Sequence, residues 1–198
     1  MAAVADCTGH GLHGGLLSMI AHQLLNQSVK HKKLSEPSEV LEDVHSELLR
    51  IYAPDRQTTL HYGGMDIGLI VVDKENQTYS YSGARRHLYI MRDGAFKRIK
   101  GSKFTVGEAH ANQVDKRLTT RTGAMSPGDV YYLSSDGFPD QFGGPKGRKM
   151  MSRGFEKALG EVSKLDFCEQ RNAISEIFHS WKLGFDQTDD VLLVGFAV

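Results

Sequence analysis

Between residues 65 and 134 the sequence reads as one strand after another, and the helical periodicities fall on either side of that block. This segregation narrows the fold more than any other feature. Met65 to Asp73 reads as an apolar run around Gly68, which suits a strand buried on both faces. Gln77 to Ser82 and His87 to Arg92 are short and rich in Tyr, Thr and Ile. Asp93-Gly94, between Met91 and Phe96, is a hairpin signal. A loop over 101–115 leads to a weaker strand from Leu118 to Thr122. Pro127-Gly128-Asp129 then turns the chain into Val130 to Ser134. Strands joined by hairpins, with helices held in separate blocks, predict antiparallel sheets covered by helices, an α+β layered domain.

The flanking blocks supply the helices. Leu12, Leu16, Ile20 and Leu24 recur every four residues and predict an amphipathic helix ending near His31. Ser35-Glu36-Pro37 opens a second helix whose buried face is Val40, Leu41, Val44, Leu48 and Ile51; it stops before Pro54. Phe142-Gly143-Gly144-Pro145 reads as a loop, and a helix follows over 152–162. Asp166 and Glu169 form a capping-box pattern for a last helix with Ile174, Ile177, Phe178 and Trp181 inward and Gly184 at its C-terminal cap. Ala3-Val4-Ala5 reads as the end of a buried strand, and Asp190 to Val198 as a final one. Strands rarely begin at the first residue of a complete domain, so an N-terminal truncation is expected.

With 198 residues the chain suits one domain spanning 1–198. Its 24 basic and 24 acidic residues cancel, so no overall field draws it to nucleic acid or an acidic membrane. No apolar run reaches the roughly 18 residues of a membrane span, and residues 1–6 lack the pattern of a signal peptide. Two unpaired-looking cysteines, Cys7 and Cys168, fit a reducing, cytoplasmic setting.

Three aspartates stand at strand ends. Asp6 follows Ala3-Val4-Ala5, Asp136 follows Val130 to Ser134, and Asp189 precedes the last strand. If that strand runs antiparallel to the other two, the three carboxylates gather at one rim of the sheet. Two like charges about 4 Å apart repel by roughly 4 kcal/mol at an effective dielectric near 20, which a proton or a cation must relieve. Hard oxygen donors without paired Cys or His select Mg²⁺ or Mn²⁺, and two such ions can activate a water and clamp a phosphoryl group. Asp before Gly is also a common turn signal, so on pattern alone the metal reading and the turn reading both stand.

The segments Asp6-Cys7-Thr8-Gly9-His10-Gly11, Ser134-Ser135-Asp136-Gly137-Phe138-Pro139-Asp140 and Gln187-Thr188-Asp189-Asp190-Val191 occur in this order. Together with Tyr81-Ser82-Gly83-Ala84 they resemble the signatures of the type 2C metal-dependent serine/threonine protein phosphatases, in the bacterial SpoIIE-like branch. The resemblance runs from residue 2 to 198 and implies a two-layer antiparallel β-sandwich flanked by helix pairs. It implies two ions, Mn²⁺ or Mg²⁺. Asp6 would bridge them with the Cys7 carbonyl completing one shell, and Asp136 and Asp189 would hold the other. Asp140 falls where some relatives hold a third ion, but that ion's second aspartate would fall at Ala84. The family's glycine-aspartate-aromatic motif would precede Asp6, so the resemblance implies missing N-terminal strands, one lost carboxylate, weak metal binding and little activity.

The implied reaction is hydrolysis of phosphoserine or phosphothreonine by a metal-bound hydroxide, with no covalent enzyme intermediate. The implied partner is a phosphorylated regulatory protein such as an anti-sigma-factor antagonist, with the helices over 12–52 as the regulated surface. The rivals are a catalytically weak binding module and a dimerising signalling element. Other residues read more plainly. His10 and His13 lack the further ligands zinc needs, and His10 suits bracing the glycine turn. Cys7 suits a small buried filler rather than a nucleophile. The glycine run lacks the Gly-Lys-Ser/Thr ending of a nucleotide loop. Arg85-Arg86 reads as a solvated hairpin end, with phosphate or an acidic partner as the alternative.

Overall fold

A computed structural model describes residues 1–9, 11–52, 63–108 and 118–198. The elements run β1 (Ala2–Cys7), α1 (Gly11–Asn26), a π-helical turn (Gln27–His31), α2 (Pro37–Tyr52), then β2 (Met65–Asp73), β3 (Thr78–Ala84), β4 (Leu88–Arg92), β5 (Ala95–Ile99), β6 (Arg121–Ala124) and β7 (Val130–Ser134). There follow α3 (Gly137–Asp140), β8 (Phe142–Gly143), β9 (Arg148–Lys149), α4 (Met151–Val162), α5 (Phe167–Lys182) and β10 (Leu193–Ala197). The class is α+β with antiparallel sheets. The contacts divide the chain into two compact units, Met1–Leu88 with Ile99–Met125, and Tyr89–Arg98 with Ser126–Val198.

The first unit holds an antiparallel sheet ordered β1-β2-β3-β6. β2 is central, which explains its near-complete apolar run. β1 lies at the sheet edge with only Val4 fully buried, so it is not the buried strand that its composition suggests. Helix α1 also departs from expectation. Its buried residues are Gly14, Leu17, Ala21 and Leu24, and Ile20 packs partly against the core, whereas Leu12 and Leu16 are 81% and 50% exposed. Both stripes have helical spacing, and Gly14 decides between them. A Cβ there would stand 2.6 Å from the Gly9 carbonyl, so the helix seats this bare face on the preceding turn. Helix α2 buries Val40, Leu41, Val44 and Leu48 as expected, while Ile51 at its last turn is exposed. These helices pack with Met65, Ile67, Leu69 and Val106 in one apolar core.

The second unit holds a sheet ordered β10-β7-β4-β5, with β10 antiparallel to β7 from Leu193↔Ser134 to Ala197↔Val130. Asp93 and Gly94 turn β4 into β5 with positive φ at both positions, 49° and 73°, the backbone a two-residue hairpin favours. Phe138, Phe155 and Phe178 form the aromatic centre of the core, with ring centroids 5.0–5.1 Å apart around Phe138. Arg92 grips the buried Asp129 with two hydrogen bonds, Nε to Oδ1 at 2.7 Å and Nη2 to Oδ2 at 2.6 Å.

Several boundaries shift. The weak strand falls at Arg121–Ala124 rather than 118–122, and β10 starts at Leu193 rather than Asp190. The segment 142–145 opens with a strand residue pair, because Phe142 and Gly143 pair with Lys149 and Arg148. Asp166 stands at the N-cap of α5 but gives no side-chain cap bond; its backbone carbonyl accepts from Glu169 N–H instead.

Candidate functional site

In the first unit, β1 delivers Asp6 within the strand, not after it. Its register partner on β2 is Asp66. Two carboxylates side by side need a counter-charge, and Arg86 provides it. Arg86 Nη2 donates to Asp6 Oδ2 at 2.9 Å and stands 3.5 Å from Asp66 Oδ2. Arg86 is thus not a solvated hairpin end: its side chain is only 9% exposed, against 24% for Asp6 and 19% for Asp66. Thr105 Oγ1 donates to Asp66 Oδ1 at 3.2 Å, and Arg85 Nε lies 3.9 Å from the same oxygen. Beyond Asp6 the chain is pinned at Thr8, whose N–H and hydroxyl both donate to the Gly64 carbonyl and whose Oγ accepts from Gly64 N–H at 2.8 Å. Burial pushes the Cys7 thiol up, which disfavours a thiolate, and Cys7 packs against the unit's core. His10 lies outside the described residues.

In the second unit, β7 ends in Ser134-Ser135-Asp136, and the antiparallel β10 brings the approach to its own start alongside. Ser135 N–H donates to the Leu192 carbonyl at 3.0 Å. Ser135 Oγ donates to the Asp190 carbonyl at 2.9 Å and accepts from Leu192 N–H at 3.0 Å. On the other side of Asp136, a Cβ at Gly137 would stand 2.3 Å from the Asp190 carbonyl oxygen. Asp136 is therefore bracketed by residues that touch the segment bearing Asp189 and Asp190. Asp140 is paired with Lys149 Nζ at 2.8 Å. The Lys149 ammonium is held above its ordinary pKa by that bond to Asp140, and the charges of Asp136 and Asp189 add to the effect. Gln141, fully buried, donates to the Asp186 carbonyl at 2.9 Å, while its own carbonyl accepts from Trp181 Nε1 at 2.9 Å. Trp181 is half-buried and fixes Gln141, which in turn holds the loop before Asp189.

The expectation of one sheet rim carrying all three aspartates needs correction. β7 and β10 share a sheet, but β1 belongs to the other one. Asp136 and Asp189 stand in the second unit and Asp6 in the first. Among the described residues, no three His, Cys, Asp or Glu side chains converge on one point. The donors nonetheless suit a hard divalent cation: they are carboxylates, and Mg²⁺ commonly takes one or two of these and keeps several waters. Asp66, Lys149 and Gln141 escaped the sequence reading, which took Arg86 for a solvated hairpin end. A lone acid inside the Met65–Asp73 apolar run was the signal for Asp66.

The model of the family described as Stage II sporulation protein E (SpoIIE) matches residues 1–198. The chain belongs to the SpoIIE family. Family and fold together make it a PP2C-type phosphatase. Its fold is similar to that of the SiaA-PP2C domain of Pseudomonas aeruginosa, at TM-score 0.85 and 27% identity, covering 99% of this chain and 74% of that one. It also resembles the PP2C phosphatase domain with a regulatory fragment of SpoIIE from Bacillus subtilis, at TM-score 0.74, 16% identity and 99% and 53% coverage. A third likeness is to the RsbU and RsbW domains of Rv1364c from Mycobacterium tuberculosis, at TM-score 0.72, 15% identity and 98% and 50% coverage. The SpoIIE-family chain thus spans about half of the last two structures. No curated protein matches it in sequence. Among the described residues, no helix is long and apolar enough to cross a membrane.

Proposed function

We propose that this SpoIIE-family domain, residues 1–198, removes phosphate from phosphoserine or phosphothreonine on a regulatory protein, using Asp6, Asp136 and Asp189 to hold Mn²⁺ or Mg²⁺. The observation that carries the reading is the bracketing of Asp136 by Ser135 and Gly137, each in contact with Asp190. Asp136 and the Asp189–Asp190 pair, distant in sequence, lie on touching backbone segments, which brings their carboxylates to the same loop cluster where one hard cation can be served by both. In this proposal Asp6 offers a carboxylate and Cys7 its backbone carbonyl, while Asp136 and Asp189 offer the second pair. When bound, the divalent ions supply an activated water and neutralise charge on the phosphoryl oxygens. Gly137 lets the Asp190 backbone close against the Asp136 turn, and Ser135 and Gln141 keep the 186–192 loop in place. No side chain is required to form a covalent bond to phosphorus, and the buried Cys7 thiol is poorly suited to one.

A regulatory phosphoprotein is proposed as substrate because the mycobacterial relative joins its RsbU domain to an RsbW domain in one chain. The test is hydrolysis of a phosphoserine peptide by the purified chain in Mn²⁺. Activity that EDTA abolishes and Mn²⁺ restores is expected. Activity that persists in EDTA, or that acts on phosphotyrosine alone, would overturn the reading.

A further inference from the structure

The first unit contains a device that the proposed chemistry does not use. Arg86 Nη2 faces two carboxylate oxygens at once, Asp6 Oδ2 at 2.9 Å and Asp66 Oδ2 at 3.5 Å. Asp66 is held in place from its other oxygen by the Thr105 hydroxyl, while Asp6 is paired with it across the β1–β2 ladder. The guanidinium is nearly sequestered from water, so its charge is weakly screened. Any cation that took Asp6 as a ligand would share its carboxylate with this fixed positive charge.

We infer that Arg86 is a resident counter-cation that competes with a divalent ion for Asp6, and that Asp66 is the second carboxylate to which Arg86 shifts when the ion binds. The inference rests on the assignment of Asp6 as a metal ligand. It follows from like-charge repulsion and from the short step between the two oxygens. Asp66 Oδ2, at 3.5 Å, is only slightly farther from Arg86 Nη2 than Asp6 Oδ2 at 2.9 Å, so the guanidinium has a second carboxylate within reach. Asp66 thereby sets how easily Asp6 is released. Without it, Arg86 loses one of its carboxylate partners and leaves Asp6 less readily. Buried charges hold on to their partners because an unpaired one is costly. Arg86 and Asp66 are positioning residues here, acting on metal through Asp6.

The test is calorimetric titration of Mn²⁺ into the wild-type chain and four variants. Arg86→Gln keeps a hydrogen-bonding amide but removes the charge, and about tenfold tighter Mn²⁺ binding is expected. Asp66→Asn, isosteric and therefore safe should the Arg86 variant fail to fold, is expected to weaken binding by about threefold or more. In the double variant the Asp66→Asn effect should vanish, because it acts only through the guanidinium. Weaker or unchanged binding in Arg86→Gln overturns the inference. So does an Asp66→Asn loss that survives in the double variant, which would make Asp66 a direct ligand. Asp6→Asn separates this failure from that of the underlying assignment. If it titrates like the wild type, Asp6 is no ligand at all; if it loses the heat while Arg86→Gln fails to gain, only the competition is wrong.

Discussion

Gly137 is the residue on which the placement of Asp136 turns. Its missing side chain lets the Asp190 carbonyl come within 2.3 Å of where a Cβ would be. That obstacle is backbone, so Gly137→Ala must push the 186–192 loop away, as overpacking does elsewhere at a cost of about 1–3 kcal/mol. The variant should remain folded by circular dichroism but lose about tenfold or more in Mn²⁺-dependent hydrolysis, as misplacement by an ångström does. Unchanged hydrolysis would show that the loop's closeness does not matter. At this scale the sequence singled out Asp6, Asp136 and Asp189 through short motifs that contain glycine or threonine, and their role as ligands is the proposal that Mn²⁺ binding tests. It was misleading about Arg86. A doubled arginine after a strand looks like a solvated end, and only the β1–β2 register shows that two acids await it. Register is a long-range property, and no local pattern encodes it.

Among the elements, α1 shows how periodicity can be right about the helix and only half right about its face. The set Leu12, Leu16, Ile20 and Leu24 and the set Gly14, Leu17, Ala21 and Leu24 both repeat at helical spacing, and the C-terminal members Ile20 and Leu24 do face the core. The second set wins because the Gly9 turn needs a glycine beneath it, a contact that no hydrophobicity pattern reports. Leu17→Ala should therefore cost about 2–5 kcal/mol in urea denaturation, as buried leucines do. Leu12→Ala should change it by no more than about 0.5 kcal/mol. The reverse order would restore the face that the sequence suggested.

Strand β4 is tied to the head of β7 by Arg92 and Asp129. Burial works to raise the Asp129 carboxyl, but the bonds from Arg92, Ser126 N–H and Tyr131 outweigh it and hold it below the usual range. A carboxyl lowered on folding adds stability at pH above its unfolded value. That stability is lost as pH falls below the unfolded value and through the folded one. Asp129→Asn should remove about 1–3 kcal/mol at neutral pH, since it weakens the bonds that the buried carboxylate accepts from Arg92, Ser126 N–H and Tyr131. The gap between variant and wild type should narrow as thermal melts are taken from pH 7 toward pH 3. A gap that stays constant would deny the ion pair its role. The hairpin at Asp93-Gly94, the start of α2 at Pro37 and the full span of β2 were legible because each is specified by adjacent residues. The β8–β9 pairing was not, since Gly143 and Arg148 meet only through a loop closed on itself.

For the whole molecule, the segregation of strands from helices carried the α+β class, and the order of the aspartate motifs carried the family. What neither carried was the partition of strands, with β1 in one sheet and β7 and β10 in the other. Strand order is decided by which apolar faces cover one another, and several orders satisfy the same pattern. The central claim is that Asp6, Asp136 and Asp189 serve one chemistry through divalent ions. Its most direct measurement is Mn²⁺ binding, by calorimetry, in Asp136→Asn and Asp189→Asn beside the wild type. Loss of the same binding heat from both variants, with melting temperatures in EDTA unchanged, is the predicted result. Wild-type Mn²⁺ binding in either variant would contradict the account.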